Sequence, residues 1–139
     1  MKAGRVVIAV LAGAIVWAVL WIGGTQAAQA AFPAQLNPTQ PITHTGALLG
    51  LILYSVVLSL LAGYVTAVVG RARAVTAVWA LAMLQLALGI GFEVSAWQLM
   101  PVWYHLVFLA LIVPATVAGG RWRVTSSRTP APSSRPIRP

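Results

Sequence analysis

Four long apolar runs, separated by short polar stretches, dominate the hydropathy pattern: Val6 to Gly24, Gly46 to Gly70, Ala74 to Phe92 and Val102 to Gly120. None contains Lys, Arg, Asp or Glu. A hydrocarbon core of ~30 Å needs ~20 helical residues at 1.5 Å rise, so each run can span it. A helix of a soluble bundle shows a polar residue every third or fourth position, and these runs do not. The pattern predicts an all-α polytopic membrane protein. Its expected form is a four-transmembrane-helix antiparallel bundle over residues 1–123, with helices at about 6–24, 46–70, 74–92 and 102–120.

The connections follow from composition. Residues 25–45 are rich in Ala, Gln, Pro, Thr and Asn, and prolines at 33, 38 and 41 prevent a continuous helix. An extended outer loop is expected, with at most one helical turn near Ala27 to Phe32. Residues 124–139 are mostly Ser, Thr, Pro and Arg, too poor in apolar surface to offset the entropy of ordering. They read as a disordered, basic cytoplasmic tail whose arginines lie on anionic lipid headgroups. The first run has an alternative reading, since Lys2 and Arg5, an apolar stretch and then Ala28-Gln29-Ala30 also resemble a cleaved secretory signal. Its length from Val6 to Ile22 and its two tryptophans favour a retained anchor.

Charge then orients the chain. Hydrophobic residues make up 60% and charged residues 7%, far too few to coat a soluble domain. The net charge of +8 would suit nucleic acid, but the basic residues occupy only the chain ends and one short loop: Lys2, Arg5, Arg71, Arg73, Arg121, Arg123, Arg128, Arg135 and Arg138. In the four-span reading all nine fall on one side, while 25–45 and 93–101 carry no Lys or Arg. The positive-inside rule gives N-in/C-in, and no nucleic-acid partner is expected. Trp21, Phe92, Trp97, Trp103 and Tyr104 are expected to form an outer aromatic belt, with Trp122 and Trp79 marking the inner level. There is no Cys, which removes disulfides and thiolate chemistry.

Little chemistry is available. Glu93 is the only acidic side chain, at the outer end of the third run, one turn of chain from His105. A carboxylate beside an imidazole at membrane depth is a proton-handling arrangement; two separate headgroup-level residues are the plainer alternative. His44, at a similar depth, makes a metal or haem between His44 and His105 conceivable, but two histidines without further ligands call for no metal and no cofactor. No nucleophile constellation, phosphate-binding glycine loop or zinc-protease motif occurs, so hydrolase and kinase readings lack support.

Small residues recur along the second helix at Ser55, Ser59, Gly63 and Ala67, with Gly46 and Gly50 extending the spacing. Ala9 and Gly13, and Ala87 and Gly91, repeat it on the first and third helices. Such stripes allow close helix packing within the chain, or a homodimer contact. Tyr54, Tyr64 and Gln85 need hydrogen-bond partners if buried. Pro114 should kink the fourth helix and free the carbonyl of Ala110.

The run Ala62-Gly63-Tyr64-Val65-Thr66-Ala67, and Pro101-Val102-Trp103-Tyr104-His105 leading to Pro114 and Gly119-Gly120-Arg121, resemble small four-helix bacterial membrane proteins of unassigned function. The resemblance covers residues 1–123 and implies a topology rather than an activity. The small multidrug transporters share this size, but they are similar to one another in a carboxylate within the first helix, which here has none. Arg far in excess of Lys, with abundant Ala, suggests a GC-rich bacterium and its inner membrane. Two functions are expected from different classes. One is a non-enzymatic protein acting through helix packing with itself or a membrane partner in the lipid bilayer. The alternative is a small proton-coupled carrier using Glu93 and His105 at an outward-facing cavity.

Overall fold

The computed structural model describes residues 2–128, which are helical with short turns and contain no strand. Helix α1 spans Lys2–Ala31, α2 Thr45–Gly70, a 3-10 turn Arg71–Arg73, α3 Ala74–Ser95 and α4 Val102–Ser126. Three continuous helical stretches are long and apolar enough to cross a membrane: Ala3–Ala31, Thr45–Ser95 and Val102–Ser126. The middle stretch has 51 residues, more than twice the ~20 that one crossing needs. It breaks at the 3-10 turn, where Arg71 adopts φ 49° while its N–H still bonds Ala67 O. Beyond the break the chain doubles back. Thr66 and Leu81 face the same glycine, Gly13, and Gly70 lies against Ala77.

Two helices outrun the apolar pattern. α1 continues through the polar residues 25–31, because Ala and Gln favour helix and no breaker intervenes before Pro33. Thr25 Oγ1 is satisfied inside the helix by Trp21 O at 2.7 Å. α4 runs on to Ser126, so residues 124–126 of the expected tail are helical; residues 129–139 lie outside the described residues. The outer loop is folded rather than extended. Leu36 and Ile42 are buried, Asn37 Oδ1 accepts from Thr39 N at 2.9 Å, and Ile42 N donates to Leu99 O at 2.7 Å. That last bond ties the loop to the α3–α4 connection.

The interior combines small residues, a few rings and buried aliphatics such as Leu48, Leu81 and Ile112, while many other large aliphatics point outward, as with Leu53 and Val94 at 65% and 67% exposure. In lipid an outward leucine costs nothing, so close backbone contact decides the packing. Gly63 and Gly119 mark where α2 crosses α4: a Cβ on the first would strike Thr116 O, and on the second Leu60 O. Ser55, Ser59 and Ala67 share this buried face. Gly46 and Gly50 do not, since both are exposed and only the His44 ring comes near Gly46. On α1, Ala9 and Gly13 are buried. On α3, Ala87 and Gly91 point outward, and the packed face runs instead through Leu81, Gln85, Gly89 and Glu93.

The rings are also redistributed. Trp21 is buried, stacked on Trp17 at 6.3 Å and tilted against Phe108 at 5.5 Å, and Tyr104 is buried too. Neither belongs to a surface belt, whereas Phe92, Trp97, Trp103, Trp79 and Trp122 are exposed. Tyr54 donates to Leu20 O at 2.5 Å, and Tyr64 packs edge-on to Trp122. α4 runs through Pro114, which sits on its exposed face.

Candidate functional site

Glu93 lies in the last turn of α3 and His105 in the first turn of α4, and the six-residue connection, 96–101, lets the two helices pack side by side. The structure brings the two side chains together. His105 Nδ1 and Glu93 Oε2 form a hydrogen-bonded pair, with the residues 0% and 1% exposed. The expectation of separate headgroup-level side chains therefore fails: the fold of the connection covers both residues.

The second imidazole nitrogen fixes the proton count. His105 Nε2 is 3.1 Å from Met100 O and 3.3 Å from Trp97 O, and carbonyls only accept, so Nε2 carries a hydrogen and donates. Two states then keep the pair neutral overall: imidazolium facing carboxylate, or imidazole facing carboxylic acid. They differ only in where one proton sits. Adding or removing a proton creates a net buried charge, which is costly unless water or an opposite charge arrives with it. Glu93 Oε1 is buried and has no hydrogen-bond partner. Proton exchange with the outside thus requires the cover over the pair to open.

That cover is aromatic. The Trp97 ring stacks on His105 with centroids 4.6 Å apart and planes within 11°, and Tyr104 meets the imidazole edge-on at 5.9 Å. Trp97 is 44% exposed, so it is the layer between the imidazole and the surroundings. Sequence reasoning assigned Trp97 and Tyr104 to a belt and missed these contacts. Trp97 stands four residues after Glu93, a spacing that would have put them on one face had the helix continued.

A cavity of about 390 Å³ adjoins this region, between α1, α3 and α4 beneath the folded outer loop. Trp21, Phe92 and Phe108 form apolar wall, while Thr25, Gln26, Gln29 and Tyr104 supply polar atoms. Neither Glu93 nor His105 lines it, nor does Pro114; the neighbouring Phe92 and Tyr104 separate the pair from it. Towards the other end, Thr116 Oγ1 donates to Gln85 Oε1 at 2.6 Å, both buried. Gln85 Nε2, Ser59 Oγ, Thr66 Oγ1 and Tyr104 OH are buried without partners. The interior is more polar than the apolar runs suggest.

His44 stays apart. It is exposed, and its Nδ1 accepts from Ala47 N at 3.1 Å as the N-cap of α2. Both ring nitrogens of His105 are engaged, so the pairing of His44 and His105 that a shared metal or haem would need is not present. Comparisons with protein-family models, curated proteins and solved structures find no match.

Proposed function

We propose that the chain crosses a bacterial inner membrane four times with both ends inside, and that it is a small proton-coupled carrier whose titrating centre is the Glu93–His105 pair. The observation that carries this reading is the burial of the only acidic side chain against an imidazole whose other nitrogen is already committed to carbonyls. A membrane protein that buries one ionisable pair, one layer of side chains away from a cavity, has parts that could couple a proton to a conformational change. The four-span topology is supported by the break at Arg71, which puts basic residues at the turn, and by the packing of α2 against α3. The packing of α1 through Ala9, Gly13 and Trp21 supports a retained first helix.

Proteoliposomes loaded with a pH-reporting dye and given a potassium diffusion potential test the function. The native chain should admit protons faster than the Glu93→Gln chain at equal reconstituted amount. Equal rates would remove the carrier reading.

One observation favours a second reading, a protein acting by packing with itself or a membrane partner. Gly46 and Gly50 have the spacing of a helix contact and are exposed along a groove of about 490 Å³ between α1, the outer loop and α2, so a further helix seated in it would belong to another chain. Crosslinking between cysteines placed at Gly50 in two copies tests it, with absence of a dimer band counting against it.

A further inference from the structure

At the end of the helices opposite Glu93, a cavity of about 310 Å³ lies between the ends of α2 and α4 and the start of α3. Ala67, Ala74 and Val124 give it an apolar floor, and Arg71, Arg123 and Arg128 line it as well. Three like charges around one small cavity repel one another, and no acidic side chain lies near to balance them. The chain's only acidic side chain, Glu93, is engaged with His105, about 28 Å further along α3 at 1.5 Å per residue. The helix ends do not suffice either. The C-termini of α2 and α4 each present about half a negative charge, and the N-terminus of α3 returns about half a positive one.

Arg71 adds an independent observation. It is the one non-glycine residue with positive φ among the described residues, at a helix C-terminus where glycine is the ordinary choice. An arginine kept there at a backbone cost is the kind of outlier that points to a role for its side chain.

We propose that this cavity binds the phosphate of an anionic phospholipid, with the guanidiniums on the headgroup and the apolar floor against the first methylenes of an acyl chain. Guanidinium is suited to phosphate because its N–H groups match two phosphate oxygens at once. The floor is what favours a lipid over free phosphate.

The test is native mass spectrometry of the full chain in nonionic detergent, titrated separately with phosphatidylglycerol, phosphatidylcholine and inorganic phosphate. One phosphatidylglycerol should bind ahead of the other two. Arg71→Gln and Arg123→Gln should each weaken it about fivefold. Arg73→Gln removes the same charge from the same end but outside the cavity, and should leave binding unchanged. Arg71→Gly relaxes the backbone while deleting the guanidinium, so it should bind lipid weakly in a chain that still folds. Equal binding of the two lipids, or equal losses at Arg73 and Arg123, would mean diffuse attraction and overturn the site. Inorganic phosphate displacing the lipid one for one at similar concentration would overturn the lipid assignment.

Discussion

Replacing His105 by leucine should cost far more than replacing Glu93, and replacing both should cost less than replacing His105 alone. His105→Leu strips Oε2 of its partner when Oε1 already has none, and removes the donor to Met100 O. An acid left wholly unpaired inside the protein costs about 3–5 kcal/mol. Glu93→Leu leaves only Nδ1 unsatisfied, since Nε2–H keeps its carbonyls, and should cost about 1–3 kcal/mol. The double change removes both members of the pair at similar volume, an exchange that is often neutral or stabilising, and leaves only the Met100 and Trp97 carbonyls without their donor. The singles therefore sum to roughly 4–8 kcal/mol, while the double should fall below about 2 kcal/mol. Unfolding in mixed micelles by added dodecyl sulfate, followed through the tryptophan fluorescence, reads these differences where the transition is two-state. A double variant whose loss equals the sum of the singles would refute the pairing as a buried, desolvated unit.

Glu93→Gln separates stability from proton handling, because the amide can donate to Nδ1; stability should change by about 1 kcal/mol or less while a pH-dependent carboxylic C=O infrared band disappears. Gly119→Ala places a methyl on Leu60 O and should destabilise by about 1–3 kcal/mol, whereas the exposed Gly50→Ala should be stabilising by about 0.5–1 kcal/mol; the same unfolding assay checks both. Thr116→Val removes the donor to Gln85 and should cost about 1–3 kcal/mol, with Gln85→Leu added to it recovering part of the loss. Because the chain has no Cys, single cysteines report topology cleanly: Thr39→Cys should react with an impermeant maleimide in spheroplasts, and Arg73→Cys only after lysis. Labelling of both in intact cells would overturn the N-in/C-in arrangement.

The apolar runs and the placement of basic residues could be read without coordinates, because hydropathy and charge are local properties of the chain. The break at Arg71–Arg73 lies where the second and third runs were divided, and spanning length follows from counting residues. Helix ends were less legible: residues 25–31 and 124–126 are helix-compatible, yet their lower hydropathy reads as loop or tail.

Which way a helix faces was legible only where small residues line up on the packed side, as at Ser55, Ser59, Gly63 and Ala67 on α2 and Ala9 and Gly13 on α1, and it was not legible on α3. A helix apolar on every side carries no stripe to phase it, so the choice between Ala87/Gly91 and Gln85/Gly89/Glu93 as the inner face of α3 fell to the fit of backbones at glycines and to the burial of polar groups. The same holds for Trp21, whose ring looked like an interface anchor and sits in the core, and for Gly46 and Gly50, whose spacing looked like packing and meets no other helix closely. The proximity of Glu93 and His105 was visible as a possibility of spacing. Their burial, the Trp97 stack and the carbonyls that hold Nε2 came only with the tertiary structure, because they depend on how the α3–α4 connection folds over both residues.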